Sequence, residues 1–318
     1  MRASQRLCRA FGVLFIAGCG RVSATNDANT DDASLRDVHL DDAVSASDAH
    51  DANATDHVAP ADVTDGSPDT GVASGLVFDD EFDGPAGSAP DPTRWNVIAA
   101  DDGQWNHELE CYVNARANVQ LDGAGHLQLI ARSAPGTTCG ARTVPYTSGK
   151  ITTLGHFSHA HGRLEMRAML PNAHGMWPAF WAMGDNMPGV GWPQCGEIDV
   201  MEVIGTTPTT VYGTLHGPRS DGMAWAHGQA HDTMMDVSSA FHTYAATWTD
   251  GSVAIQFDGV TYATIDRTTL VAGENWVFDT TGFFLLLNLA VGGDWPGPPN
   301  ASTTFPQTMT VDYVRVYP

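Results

Sequence analysis

Three carboxylates lie within six positions of an otherwise apolar segment, CGEIDVMEVIG at residues 195–205. Alternate side chains of a strand share one face, so Glu197 and Asp199 point the same way while Glu202 falls out of phase by one residue. The flanking Ile, Val and Met residues predict a buried strand, in which three like charges are costly unless chemistry requires them. We therefore interpret the trio as a catalytic group.

One extra residue in the strand, a β-bulge at Val200 or Met201, would return Glu202 to the face of the other two acids. Without the bulge, Glu197 and Glu202 are about 16 Å apart along the strand, and the bulge together with the lean of two long side chains removes most of that distance. The result approaches the separation of about 5 to 5.5 Å at which two carboxyl groups act as nucleophile and acid in retaining glycoside hydrolysis.

The elements that position these acids are predicted to be β-strands. The segments alternate in polarity or are rich in β-branched and aromatic residues, and clusters of Gly, Pro and Asn separate them. None has a sustained helical period, which favours an all-β sandwich over an α/β fold. The clearest predicted strands are 126–132, 162–168, 243–248, 252–259, 283–291 and 311–317.

Charge restricts the partners of the protein. The chain has 318 residues, and the part from residue 76 onward carries 25 acidic against 10 basic side chains, of which only Lys150 is a lysine. This surface argues against nucleic acid as a partner. A neutral or cationic substrate suits it better than a polyanion.

The amino-terminal region has the features of an export signal. Residues 1–19 have a basic start, an apolar stretch too short to span a membrane, and small residues before Cys19. The ending IAGC resembles the lipobox of bacterial lipoproteins, which implies a lipidated Cys19 and an exported cell-envelope lipoprotein at the outer membrane or cell surface. Ordinary signal cleavage near Ala24 is the alternative.

Residues 20–75 are predicted to form a disordered, Asp/Ala-rich linker. The stretch 26–71 contains twelve Asp, no Glu and almost no large apolar side chains. Such a composition cannot bury enough surface to offset the entropy of ordering the chain. With Cys19 lipidated, the linker would tether a folded domain, residues 76–318, to a membrane that the protein contacts only through its lipid.

Three cysteines remain once the signal and Cys19 are set aside, namely Cys111, Cys139 and Cys195. They allow one disulfide with one thiol left over, and sequence does not choose the pair. We prefer Cys111 with Cys139, because both lie in predicted loops outside the acidic strand. The spacing of the three is not typical of a zinc site.

Much of the chain from residue 76 to 318 resembles glycoside hydrolase family 16, in the form with the inserted residue found in laminarinase-like endo-β-1,3-glucanases. The resemblance implies a β-jelly-roll sandwich of two antiparallel sheets with a concave substrate cleft. The segments that carry it, in order, are FDDEFDG, YTSGKITT, HGRLEMRAMLP, GMWPAFWAMG, GWPQCGEIDVMEVIG, GTLHGP, LNLAVGGDWPG and VDYVRVY.

The same resemblance implies a role for each acid and a function. Glu197 matches the nucleophile, Glu202 the general acid/base, and Asp199 the residue between them that tunes protonation. The implied function is an endo-acting, retaining hydrolase that cleaves β-1,3-glucan or mixed β-1,3-1,4-glucan by double displacement. While Glu197 and Asp199 are charged, their field raises the proton affinity of Glu202, so that it can donate to the leaving oxygen.

Tryptophans are expected to line the cleft, because indole faces stack on the apolar faces of pyranose rings. Trp177, Trp181 and Trp192 match cleft positions of the family. For Trp105 and Trp295 the sequence leaves sugar binding and core packing equally open.

Polar residues are also expected at the substrate. Asn106 and Glu108, in QWNHELE, resemble the ends of a sugar-binding NNE stretch, in which His107 replaces the second Asn. His216, in TLHGP, resembles a cleft histidine near the acids. Its alternative is a structural role.

Family members often hold a structural calcium on the convex side of the sandwich, and the family needs no cofactor for catalysis. Glu81, a backbone carbonyl near Gly125, and Asp312 match the calcium positions, and oxygen ligands suit Ca²⁺.

Two other functions remain open. One is a galactan hydrolase of agarase or carrageenase type on the same fold, against which the low number of basic residues argues where the galactan is sulfated. The other is a non-catalytic β-glucan-binding protein, against which the presence of both glutamates argues. A monomer is expected, with polysaccharide as its partner.

Overall fold

The computed structural model describes residues 75–101 and 104–318. These residues are almost entirely strands and turns. In chain order the elements are β1 (Phe78–Asp80), β2 (Asn96–Val97), β3 (Glu110–Tyr112), β4 (Val119–Leu121), β5 (Leu127–Cys139), β6 (Arg142–Ser148), β7 (Lys150–Thr152), β8 (Gly162–Met169), β9 (Met176–Gly184), α1 (Met187–Val190), β10 (Glu197–Glu202), β11 (Thr210–Pro218), β12 (Ala224–Asp232), β13 (His242–Thr249), β14 (Ser252–Phe257), β15 (Val260–Asp266), β16 (Phe283–Val291) and β17 (Gln307–Tyr317), with 3₁₀ turns at Gln104–Asn106 and Arg267–Thr269.

Two sheets make a jelly-roll sandwich, which confirms the predicted fold class. The ten-stranded sheet has the order β15-β14-β13-β8-β17-β5-β6-β3, with β1 on β17 and β4 on β5. The seven-stranded sheet has the order β12-β11-β10-β9-β16-β7-β2 and is antiparallel throughout. The strand pairs of the ten-stranded sheet are antiparallel except for β3, which runs parallel to β6.

The core lies between the sheets and follows from the alternation of side chains along each strand. On β9 the buried Met176, Phe180 and Ala182 face the core, and Trp181 stands between two of them on the other face. Leu285 and Leu287 of β16 do the same, with Leu286 pointing outward from the sandwich core. The side chains that alternate with these core residues, such as Trp181 and Leu286, therefore form the outer face of the seven-stranded sheet.

All six predicted strands are found; 283–291 has the predicted ends, and the other five are shifted at one or both ends. The first extends from 126–132 to Leu127–Cys139, and the last begins earlier, at Gln307. The segment 252–259 ends as a strand at Phe257, because Asp258 and Gly259 have φ of 45° and 77° and form the turn to β15. Left-handed backbone of this kind cannot continue a strand.

The disulfide joins Cys111 to Cys139, as preferred, and Cys195 is the buried free cysteine of the described residues. The reason given for the preference is wrong, because Cys111 lies within β3 and Cys139 ends β5. The bridge closes a loop with a sequence separation of 28 residues. Closing a loop of this size in the unfolded chain is worth about 3 to 4 kcal/mol of stability.

The predictions for the signal, for Cys19 and for the linker fall outside the described residues. In the described part, no helix has the length and apolar character needed to cross a membrane.

Candidate active site

Strand β10 carries the predicted bulge. Glu197, Ile198 and Asp199 pair in register with β9 and β11, and the register then shifts between Asp199 and Met201 on the β9 side. Val200 and Met201 are consecutive, yet both are fully buried in the core. Two successive inward residues restore the phase, so Glu202 shares the outer face with Glu197 and Asp199.

Asp199 is buried between two polar neighbours. Its Oδ2 lies 3.1 Å from Nε2 of His216, a contact by distance rather than a directed hydrogen bond. Burial raises the pKa of Asp199 well above its ordinary value, and the charge of Glu197 and a hydrogen bond with Glu197 act in the same direction. The hydrogen bond ties the Asp199 carboxyl to Glu197.

Glu202 is held by an indole. Nε1 of Trp177 donates to its Oε1 over 2.9 Å. Burial, followed by the charge of Asp199, raises the pKa of Glu202 to about 8, while His216 and the Trp177 hydrogen bond oppose the rise. The sequence attributed this shift to the neighbouring acids alone, whereas burial is the larger cause. The site thus contains a carboxylic acid that is protonated at neutral pH.

Two tryptophans form the floor beside the acids. Trp181 stands directly opposite Asp199 on β9, and its Nε1 donates to Oδ1 of Asn288 over 2.7 Å. Trp177 lies four residues earlier on the same face of β9, next to Glu202. Both indoles have their only N–H group engaged with the protein, so each ring has a fixed orientation.

Trp192 and Trp295 are partly exposed near opposite ends of the acidic strand. Trp192 is 37% exposed, and its ring centroid lies 6.4 Å from that of His216. His216 lies opposite Glu197 in the register of β11 with β10. Trp295 is 39% exposed and packs edge-on against Trp177 and Tyr212, the latter opposite Glu202. The structure therefore adds Trp295 to the cleft.

Asn106 and Glu108 bond to each other. The backbone N–H and the side-chain amide of Asn106 donate to the Glu108 carboxylate over 2.8 and 3.2 Å. A Cβ added to Gly293 would lie 3.1 Å from the Asn106 carbonyl and 3.4 Å from the Trp177 ring, so the pair adjoins the cleft. His107, where the family usually has Asn, points elsewhere and contacts Asp294 through Nδ1 over 2.8 Å. Trp105 is 85% exposed.

Sequence reasoning missed several residues in contact with the cleft indoles or acids or directly behind them, which are Tyr112, Lys150, Tyr212 and Asn288. Lys150 lies over the rings of Tyr112 and Trp181, with its Nζ 5.3 and 5.5 Å from their centroids, and pairs with Asp101 over 3.0 Å. Asn288 had a detectable signal, because it is the only polar residue in the strand FFLLLNLAV. The others had none that stands apart from the background.

Among the described residues, one group could hold a metal ion. Glu197, Asp199 and His216 each offer a ligand atom, and these atoms lie within 4.8 Å of one another. Glu197 and Asp199 belong to the predicted catalytic group, and His216 was predicted beside it. The cluster is therefore explained by the catalytic site and does not indicate a separate metal site.

The predicted calcium residues are differently placed. Arg315 donates to both carboxylate oxygens of Glu81, over 2.8 and 3.0 Å, and Arg167 pairs with Asp312. The backbone at Gly125 lies near the carbonyl of Glu81, since a Cβ there would be 3.9 Å from that oxygen. The carboxylate of Glu81 therefore does not fit a metal ligand.

A bulged strand that carries a protonated acid beside two further carboxyls, next to an indole floor, is the apparatus of a glycoside hydrolase on a β-sandwich. The chain belongs to glycosyl hydrolases family 16, whose sequence profile matches residues 106–315.

Relatives of known activity support this assignment. The chain is 35% identical over 249 residues to the beta-glucanase of Rhodothermus marinus. The aligned region covers 76% of this chain and 84% of that relative. It is 33% identical to glucan endo-1,3-beta-glucosidase A1 of Niallia circulans, over 80% of this chain and 40% of that one. The structure of the catalytic domain of an endo-1,3-beta-glucanase (laminarinase) from Thermotoga petrophila RKU-1 superposes with a TM-score of 0.68 at 40% identity, and covers 76% of this chain and 97% of that one.

Proposed function

We propose that the protein is an endo-acting, retaining hydrolase of β-1,3-glucan, with mixed β-1,3-1,4-glucan as a second substrate. The observation that carries the proposal is the bulge at Val200 and Met201, which brings Glu197 and Glu202 to one face with Glu202 protonated. The activities named for the relatives support the choice of glucan.

In the first step a carboxylate oxygen of Glu197 attacks the anomeric carbon and forms an ester, while the bond to the leaving oxygen breaks and that oxygen takes the proton of Glu202. In the second step Glu202 removes a proton from water, the water oxygen bonds to the anomeric carbon, and Glu197 departs as a carboxylate. Asp199 holds Glu197 in place through their hydrogen bond.

Substrate contacts follow from the cleft. Trp177 and Trp181 supply stacking faces, Trp192 borders the end of the strand near Glu197, and His216 lies beside Asp199. Asn106 and Glu108 supply polar groups next to Trp177. A neutral chain of pyranose rings matches these faces better than a sulfated galactan, because Lys150 is paired with Asp101.

A digest decides the substrate. Laminarin, lichenan and agarose are each incubated with the enzyme, and the products are separated by size. We expect a ladder of oligosaccharides from laminarin, a weaker one from lichenan and none from agarose. Cleavage of agarose in preference to both glucans would transfer the assignment to the galactan hydrolases, and binding without cleavage would transfer it to the glucan-binding proteins.

The raised pKa of Glu202 sets the alkaline limit of activity. The acid must be protonated to act, so kcat/KM for laminarin is expected to fall about tenfold for each pH unit above about pH 8. Replacing Trp177 by Phe removes a hydrogen bond that favours the ionised form. The fall of kcat/KM at alkaline pH should therefore begin at higher pH in Trp177→Phe. A fall that begins at lower pH would contradict Glu202 as the acid.

We also propose that calcium stabilises the fold, bound by the carbonyls of Glu81 and Gly125 and by the Asp312 carboxylate. Support comes from the closeness of Gly125 to the Glu81 carbonyl and from Asp312, whose pair with Arg167 uses Oδ2 and leaves Oδ1 for an ion. Excess Ca²⁺ should raise the melting temperature above that in chelator, because a bound ion stabilises in proportion to RT ln(1 + [L]/Kd). Asp312→Asn should lose the difference. If the parent melts at one temperature in both buffers, the arginine pairs alone stabilise this region.

For localisation we propose an exported lipoprotein anchored through Cys19, on the basis of the sequence IAGC and the acidic stretch that follows it. Expression of Cys19→Ala should move the protein from the membrane fraction to the soluble fraction, as measured by immunoblot after ultracentrifugation. Ser23→Ala, near the alternative cleavage position, serves as the control and should leave the distribution unchanged. Equal membrane association of parent and Cys19→Ala would rule out the lipid.

A further inference from the structure

A row of polar groups leads from Trp181 into the interior. Nε1 of Trp181 donates to Oδ1 of Asn288 over 2.7 Å, and Nδ2 of Asn288 donates to the hydroxyl oxygen of Tyr112 over 3.1 Å. Asn288 and Tyr112 are both buried. The side-chain amide of Asn288 therefore accepts from the indole through its oxygen and donates to Tyr112 through its nitrogen.

The row ends at Glu110, a carboxyl that is completely buried. Its Oε2 accepts the backbone N–H of Val291 over 2.8 Å, and its Oε1 has no hydrogen-bond partner within the described part of the chain. Tyr112 lies two residues away on the same face of β3, and its hydroxyl is close enough to this carboxyl to act on its pKa. Because the Tyr112 oxygen accepts from Asn288, its O–H remains to donate, and a hydrogen bond to Oε1 of Glu110 would complete the row.

Strand β3 is built to present both groups together. Glu110 and Tyr112 alternate with Cys111 and so share one face, while Cys111 on the other face is bridged to Cys139. The disulfide holds the short strand at the edge of the large sheet, where it pairs with β6. The backbone next to Glu110 is thus fixed by the disulfide at Cys111.

A buried carboxyl is destabilising unless its hydrogen bonds are made. Burial raises the pKa of Glu110 to about 8, with the charge of Glu108 acting in the same direction. Glu110 is then a neutral acid at neutral pH, able to donate through one oxygen and accept through the other. Glutamine has the same shape and the same two capacities, which makes it the matched replacement.

We propose that Glu110 is a positioning residue that fixes the indole of Trp181 for sugar binding, acting through Tyr112 and Asn288. The inference rests on the proposed function, in which Trp181 stacks on a sugar ring. The four linked side chains together fix the orientation of the indole ring. Removing the Glu110 carboxyl therefore weakens sugar binding at Trp181, although Glu110 touches no substrate.

Binding measures the effect without turnover. In a Glu197→Ser background at pH 6.5, calorimetry gives the Kd for laminarihexaose. Glu110→Met, which keeps the length of the side chain and removes its hydrogen bonds, should raise Kd by about fivefold to tenfold. Tyr112→Phe removes a single hydroxyl from the same row and should have the same effect. Glu110→Gln should stay within about twofold of the parent.

A double substitution separates positioning from general damage. In a Trp181→Phe background, which lacks the indole N–H, Glu110→Met and Tyr112→Phe should raise Kd no further. In a Trp177→Phe background, whose missing N–H belongs to Glu202 instead, they should have their full effect. Equal effects in both backgrounds, or none in the parent, would overturn the proposal.

An NMR readout does not depend on any sugar. The indole ¹H–¹⁵N signal of Trp181, assigned by its absence in Trp181→Phe, should shift in Glu110→Met and Tyr112→Phe and stay in place in Glu110→Gln. If laminarihexaose fails to bind the parent while the indole signal moves as described, the substrate is wrong and the row of hydrogen bonds stands. If the sugar binds and the signal does not move, the row is refuted.

Discussion

Glu197→Ser is expected to abolish hydrolysis of laminarin, lowering kcat by about 10⁴-fold or more, because serine cannot form the glycosyl ester in the place of the carboxylate. Binding of laminarihexaose should survive, since the indole floor of Trp177 and Trp181 is held by Glu202 and Asn288 rather than by Glu197. Reducing-sugar release and calorimetry on the same preparation measure the two effects.

The control for this variant is Asp221→Asn, which removes an exposed carboxylate that pairs with Arg219 after the end of β11 and should leave kcat unchanged. Proton NMR of a fresh laminarin digest by the parent adds the stereochemistry. Double displacement releases the β-anomer first. Early appearance of the α-anomer, or normal turnover by Glu197→Ser, would remove Glu197 as the nucleophile.

Deletion of Met201 is expected to be nearly as damaging, although it removes no polar group. With one residue fewer, the strand loses its bulge and Glu202 takes the phase of the fully buried Met201, facing the core instead of the cleft. We expect kcat/KM to fall by about 10³-fold or more, as for loss of the acid itself. The folded fraction is measured by near-ultraviolet circular dichroism so that the loss is reported per folded molecule.

Met201→Ala separates the bulge from the side chain. It keeps the extra residue and removes a buried thioether, so it should lower the free energy of unfolding by about 2 to 5 kcal/mol while kcat changes little. A folded deletion variant that retains activity would show that the bulge is not what aligns Glu202. So would an Ala variant that loses activity as completely as the deletion.

Local features of the site were readable from the sequence because they repeat at short range. The out-of-phase Glu202 predicted a bulge, since the period of a strand is two residues and the core face of β10 had to remain apolar. Trp177 and Trp181 were expected at the cleft because they match family positions, and the structure has them four residues apart on the same face of β9. The pairing of Cys111 with Cys139 was right, yet its stated reason failed, because loop character says nothing about which strands adjoin.

The tertiary structure alone decided which residues that are distant in the sequence come together. Asn288 hydrogen-bonds Tyr112 across 176 positions of sequence, and Val291 donates to Glu110 across 181. It also decided that Arg315 occupies the carboxylate of Glu81, across 234 positions. Alternation along a strand is fixed by the geometry of each residue, so the chain carries it locally. Strand order and register follow from how the two sheets together bury their apolar faces, and no segment contains that information by itself.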